Sequence, residues 1–133
     1  FIVRNLLRLW GGWWNGNAAD LLPAPMDAQA QEIARLAGGV AALVARGRAL
    51  LGGGDAVMAA HHAEWATRAD PSDASAQALK RDVYDRRLAE EISLMGKGIY
   101  RAAANDAREA LGEPKLPPQL RVAFGAPDGG ERA

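Results

Sequence analysis

Cysteine does not occur among the 133 residues, and histidine occurs twice. The first absence excludes disulfides, thiolate metal sites and cysteine nucleophiles. The second nearly excludes a multi-histidine metal site inside this chain. A zinc site on one helix takes two histidines at i and i+4 so that both face one ion, with a third ligand nearby. His61 and His62 are adjacent and diverge by roughly 100° on a helix. They read as one packed residue, His62 beside Met58 and Trp65, and one surface residue, His61. Six Val, four Ile and two Phe are too few for a large sheet, which draws on β-branched and aromatic side chains. Net charge of either sign is also missing, because 16 basic residues balance 16 acidic ones. That balance argues against nucleic-acid binding by phosphate neutralisation. No stretch approaches the roughly 18 uncharged apolar residues of a membrane span. No charged segment precedes an apolar run, so a signal peptide is not expected. These features point to a soluble protein and leave cytoplasm and periplasm open. The chain begins with Phe1 rather than Met, which suggests a piece of a longer protein.

What is abundant is alanine, 29 of the 133 residues. Alanine is the best helix former because it loses no side-chain entropy. A chain of this length suits one domain, able to bury roughly two thirds of the surface it exposes when unfolded. The expected class is all-α.

Residues 1–10 place Ile2, Leu6, Leu9 and Trp10 at helical spacing and read as the end of an entering helix, stopped by Gly11 and Gly12. Residues 11–25 form a loop: Asn15-Gly16-Asn17 is turn chemistry, and Pro23 and Pro25 forbid a regular helix. Its apolar content (Trp13, Trp14, Leu21, Leu22) predicts that it wraps against a core or a partner. A helix is expected over 26–37, with Asp27 as N-cap, an inward stripe of Ala30, Ile33, Ala34 and Ala37, and Gly38-Gly39 as its stop. Another over 40–51 carries Val40, Leu43, Val44, Gly47, Leu50 and Leu51 on one amphipathic face. After Gly52-Gly53-Gly54, Asp55 caps a helix over 55–69, where Met58, His62, Trp65 and Ala69 share a face. Asp70-Pro71 is expected to cap and open a helix to about residue 91, carrying Leu79, Val83, Tyr84 and Leu88. A last helix over 93–111 carries Met95, Ile99, Ala102, Ala103 and Leu111 and stops at Gly112. Three parts result: 1–25, an entering helix and Trp/Asn/Gly/Pro-rich loop; 26–112, a helical domain; and 113–133, an extended tail in which Leu116, Leu120, Val122 and Phe124 can serve as anchors.

Residues 40–71 fit a tetratricopeptide-like unit, a helix–turn–helix of about 34 residues that requires small residues where its helices touch. Gly47, Ala59, Ala66 and Pro71 fall at the required positions. The expected architecture is therefore antiparallel helical hairpins in a right-handed superhelix of five to six helices. An ordinary helical hairpin accounts for the same spacing.

Catalytic chemistry is not apparent. Glu90-Glu91 with Asp85 are carboxylates on a helix, with Arg81, Arg86 and Arg87 at pairing distance, and read as a solvated face. Gly52-Gly53-Gly54-Asp55 lacks the Lys and Ser/Thr of a phosphate loop and reads as a tight turn. No catalytic, cofactor-binding or metal-ligating residue is assigned. Trp10, Trp13 and Trp14 either pack a core or form a contact surface, since tryptophan is enriched at binding hot spots.

The run Gly12-Trp13-Trp14-Asn15-Gly16-Asn17, followed by Leu21 and Pro23-Ala24-Pro25, resembles the dimerisation domain of the alkyl sulfatases in the metallo-β-lactamase superfamily. That domain opens on Gly-Trp-aromatic-Asp-Gly-Asn-Pro and then Leu-x-Pro-x-Pro. Asn15 stands where Asp is usual, and Ala18 where Pro is usual. The likeness continues through Leu36-Ala37-Gly38-Gly39 and Ala69-Asp70-Pro71, covering roughly residues 5–111. Past residue 90, Leu94-Met95-Gly96-Lys97-Gly98-Ile99-Tyr100 replaces the family's usual segments. The resemblance implies an all-α arm that pairs with a second arm to form a homodimer. It also implies an upstream catalytic domain in the same polypeptide, a hydrolase of sulfuric esters binding two zinc ions through H-x-H-x-D-H. That motif is absent here. Interface or structural roles are implied for Trp10, Gly12, Trp13, Trp14, Asn15, Gly16, Asn17, Pro23, Pro25 and Trp65. Two rival readings are a stand-alone helical-repeat adaptor and a binder of alkyl chains with Trp65 beside an alanine-lined slot.

Overall fold

The computed structural model describes residues 15–118, and within them every regular element is helical. A 3-10 helix (Ala18–Leu21) leads into α1 (Met26–Ala37), α2 (Val40–Gly52), α3 (Ala56–Ala69), α4 (Ala74–Glu90) and α5 (Leu94–Leu111). The entering helix expected over 1–10, and the tail beyond residue 118, lie outside the described residues.

Each helix end has a local chemical cause. Gly38 closes α1 in the left-handed conformation at φ 95°, and its N–H reaches back to the carbonyls of Ala34 and Arg35. Asp55 caps α3 by accepting the N–H of Met58 at 2.9 Å. Ser93 caps α5 by accepting the N–H of Gly96 at 3.0 Å. Replacing Ser93 with alanine is expected to cost about 1 kcal/mol. Thermal unfolding of the variant measures it, and an unchanged midpoint would show that the cap contributes nothing.

Two expected boundaries need correction. Asp27 is not the cap of α1; Pro25 holds that position and Asp27 lies in the first turn. Its carboxylate instead accepts from Arg68 of α3 at 3.2 Å. Nor does α4 begin at Pro71. The Asp70 carboxylate is taken by Ser72, through its N–H at 3.0 Å and its hydroxyl at 2.6 Å, which folds residues 70–73 into a turn. The capping role passes to Asp73, which accepts from the N–H of Ala76 at 2.8 Å.

Connections of two to four residues turn each helix back against the one before it. Every helix packs on its neighbour in sequence, and α1 also meets α3 while α2 also meets α4. Leu43, Val44, Ala59, Ala63, Ala66, Ala76, Leu79 and Val83 form the centre, with Ile33, Leu50 and Trp65 around it. The buried stripe of α3 is alanine: Ala59, Ala63 and Ala66 are fully buried. Met58 and Trp65, expected on a common face with Ala69, lie to the side of that stripe; Met58 is exposed and Trp65 half-buried. Alanine lets the helices approach closely, since dispersion contacts need short separations. Gly47 carries this furthest: a Cβ there would lie 2.6 Å from Cδ2 of Leu79 and 3.1 Å from Cβ of His62.

Ion pairs clamp the helices to one another. Arg108 forks onto Asp85 with contacts of 2.6 and 3.0 Å, joining α5 to α4. Arg48 joins α2 to Asp82 at 2.7 Å. Burial pushes the Asp82 carboxyl up, but hydrogen bonds from Arg48 and Arg81 outweigh it and hold the group below the usual carboxylate value. A depressed folded value contributes stability that is present above the unfolded value and lost as pH falls through the folded one. Asp82→Asn is therefore expected to lower the melting temperature more at pH 7 than at pH 3. Equal losses at both pH values would show that this pairing does not act through titration.

The chain after α5 is held by side chains of that helix. Asn105 accepts the N–H of Leu116 at 2.8 Å, and Arg101 donates to the carbonyl of Pro117. Leu116 is half-buried there, so the tail is docked as far as these two residues.

Candidate protein interface

The Asn15–Pro25 segment is organised by its own side chains. Asn15 Oδ1 accepts the N–H of Asn17 at 2.9 Å, and Asn15 Nδ2 donates to Asp20 at 2.6 Å. Gly16 sits at φ 90°, a conformation that L side chains rarely adopt. Asn17 caps the 3-10 helix by accepting the N–H of Ala19. Turn chemistry read from the sequence is thus present. Of the two settings expected for its apolar residues, a core or a partner, the helical core is not the one used by the described part: Pro23 and Pro25 are exposed, Leu21 is 64% exposed and Leu22 91%. Trp10, Gly12, Trp13 and Trp14, the remaining residues of the motif, lie outside the described residues.

Trp65 is half-buried at the junction of α1 and α3, 5.1 Å from the ring of His62 and 6.0 Å from that of His61. His62 Nδ1 lies 3.1 Å from the carbonyl oxygen of Met58, one turn back. A surface cleft of about 350 Å³ opens there, lined by Met26, Ile33, His61, Glu64, Trp65 and Arg68. Among the described residues, the alanines of α3 are closed over by the neighbouring helices and leave no alkyl-chain slot between them.

A longer groove of about 610 Å³ runs between α2 and α4, past Ala41, Val44, Arg48, Ala78 and Arg81. Its cations are already paired, Arg48 with Asp82 and Arg81 with Asp82 and Glu113. The carboxylates at the end of α4 are likewise engaged. Glu90 pairs with Arg86 as its spacing predicts. Glu91 accepts the N–H groups of Ile92 and Ser93 at 2.9 and 2.8 Å, and these bonds to backbone depress its carboxyl below the ordinary value. Arg87 donates to the hydroxyl of Tyr100 and lies 4.9 Å from that ring's centre, a cation–π distance. Tyr84 donates to Glu64 at 2.7 Å, and burial, followed by this bond, pushes its phenol well above the usual value. Groups so committed to structural pairing are not free for acid–base work. Among the described residues no group of three or more His, Asp or Glu side chains could hold a metal.

The helix α5 departs most from what its sequence suggests. The expected stripe of Met95, Ile99 and Ala102 faces outward; Met95 is 79% exposed and Ile99 63%. The helix buries Ala104 and Ala107 instead, with Tyr100 and Leu111 partly covered. Ile92 and Leu94, just before and at the start of α5, are 93% and 73% exposed. These four residues were not singled out as a surface. The signal was available: Asp106 and Glu109 continue the Met95 side of the helix, which marks it as outer, while Tyr100, Ala104, Ala107 and Leu111 recur at i, i+4, i+7 and i+11 on the other.

Helices, exposed large apolar side chains and paired titratable groups are what the described residues present. The family model described as alkyl sulfatase dimerisation matches residues 1–110. The chain belongs to that family. No curated protein matches it. Among solved structures, a double mutant of the sec-alkyl sulfatase PisA1 is similar, with a TM-score of 0.70 and 23% sequence identity. That likeness covers 86% of this chain but 18% of the sulfatase, and at this identity it speaks for the fold.

Proposed function

We propose that this chain is the homodimerisation module of a zinc-dependent, metallo-β-lactamase-fold hydrolase resembling the alkyl sulfatases. The observation that carries this reading is the match of 110 of its 133 residues to the dimerisation family. The fold shared with part of a much longer sulfatase supports it. On this reading the chemistry resides in an upstream domain of the same polypeptide, where zinc would activate water for attack on a sulfate ester. The described residues of this chain do not fit a zinc site, so none of them is given a step in that reaction. Their task is to present a rigid helical surface to a second copy, with the Asn15–Pro25 turn and Trp65 as parts of the structural motif.

Sedimentation equilibrium at micromolar concentration tests the assembly. The expected mass is twice the 14.1 kDa of the chain. A monomer would overturn the dimer and favour the alternative of a helical-repeat adaptor that binds a foreign partner.

A further inference from the structure

We infer that Ile92, Leu94, Met95 and Ile99 form the face on which a second copy of this chain docks. This deepens, and rests on, the homodimer reading above.

Helix α5 carries two apolar sides. At about 100° per residue, Met95, Gly98, Ile99 and Ala102 lie together and away from Ala104 and Ala107. Ala104 and Ala107 meet the core, while Met95, Ile99 and Ala102 meet nothing in the described chain that covers them. The larger side chains of the segment are thus outside and the alanines inside, the reverse of what burial within one chain would select. Single exposed apolar residues are ordinary, but four large ones within eight residues, with Met95 and Ile99 one turn apart on the same side, are the mark of an interaction site. Leu21, Leu22, Met26 and Leu36 are also exposed, yet they are spread over the N-terminal connection and the two ends of α1.

The patch is held in place. Glu91 and Ser93 cap the backbone on either side of Ile92, and Gly96 has the room this requires: a Cβ there would lie 2.7 Å from the carboxylate of Glu91 and from the hydroxyl of Ser93. The Arg108–Asp85 fork and the Arg87–Tyr100 contact fix the rest of α5 to α4. Gly98 has no such reason: a Cβ there would find nothing within 4 Å. A glycine inside an exposed helix weakens it, and nothing in the described chain needs this one. On the outer face beside Ile99 it leaves space for another backbone to approach.

A second copy is the occupant for two reasons. The dimerisation family covers the whole face, since its match runs through residue 110. A two-fold contact must also complement itself, because each patch meets its own image. An apolar centre satisfies that condition, because an apolar patch is complementary to its own image.

The test compares the wild-type chain with the double variant Met95→Glu/Ile99→Glu by light scattering and sedimentation velocity. Both side chains are exposed in a single chain, so helical circular dichroism and melting should persist. The dimer dissociation constant should rise at least 100-fold. A variant that dimerises like the wild type would overturn this face while leaving the homodimer intact, and would assign the patch to another part of the longer polypeptide. A wild-type monomer would overturn both. If the double variant fails to fold, Ile99→Cys decides, because the native chain has no cysteine. If each patch meets its own image, a short bis-maleimide should link two copies at Ile99→Cys and not at Arg46→Cys on α2. Absence of the Ile99→Cys cross-link in a dimeric sample would overturn the proposal.

Discussion

Gly47→Val is expected to lower the melting temperature by about 10 °C, corresponding to about 3 kcal/mol for a domain of this size. The cause is steric. Even a Cβ at this position lies inside the contact distance of Leu79 and close to that of His62, and valine adds two further methyl groups. Leu79 is fully buried, so its side chain has no free volume into which to turn. Gly47→Ala should lose much less, about 1 kcal/mol, because the gain in helix propensity offsets part of the crowding. Thermal unfolding followed by circular dichroism measures both. A valine variant as stable as the wild type would mean that α2 and α4 can separate without loss.

Leu79→Ala is expected to cost about 3 kcal/mol, within the range for large-to-small changes in a packed core. Leu79 is one of the two largest fully buried side chains, beside Val83, in a core otherwise dominated by alanine. Few neighbours are long enough to move into the space it leaves. The two sites touch, so their effects should not add. Gly47→Ala/Leu79→Ala should be more stable than the sum of the single losses by about 1 kcal/mol, because the alanine methyl at 47 enters space vacated by Leu79. Urea unfolding of the four proteins closes this cycle. Simple additivity would show that the close approach at Gly47 is relieved by backbone movement and not by Leu79.

Helix ends were legible wherever a few neighbouring residues set them. Gly38, Asp55 and Gly112 act within one turn of their own position, through a left-handed backbone or a side-chain bond to a nearby N–H. Asp70 and Asp73 show the limit of such reasoning. Both are competent caps, and the choice fell to Asp73 because Ser72 occupies Asp70. The small positions of the helical hairpin were also legible: Gly47, Ala59 and Ala66 all lie where neighbouring helices leave no room for larger side chains. The candidate surface was less so. In an alanine-rich helix both sides look apolar, and the bulk of Met95 and Ile99 drew the reading inward, although Asp106 and Glu109 on the same side point out.

Composition and spacing by themselves determined an all-α chain of hairpins. Helix formation, capping and turn closure depend on contacts only a few residues apart, so the local sequence contains their causes. Only the tertiary structure decided that Arg108 reaches Asp85, that Arg48 reaches Asp82, and that α5 turns its alanines inward. Those outcomes depend on which helices meet, and close packing favours the smallest side chains at each crossing. The large apolar residues displaced by that choice are the ones left for a second copy.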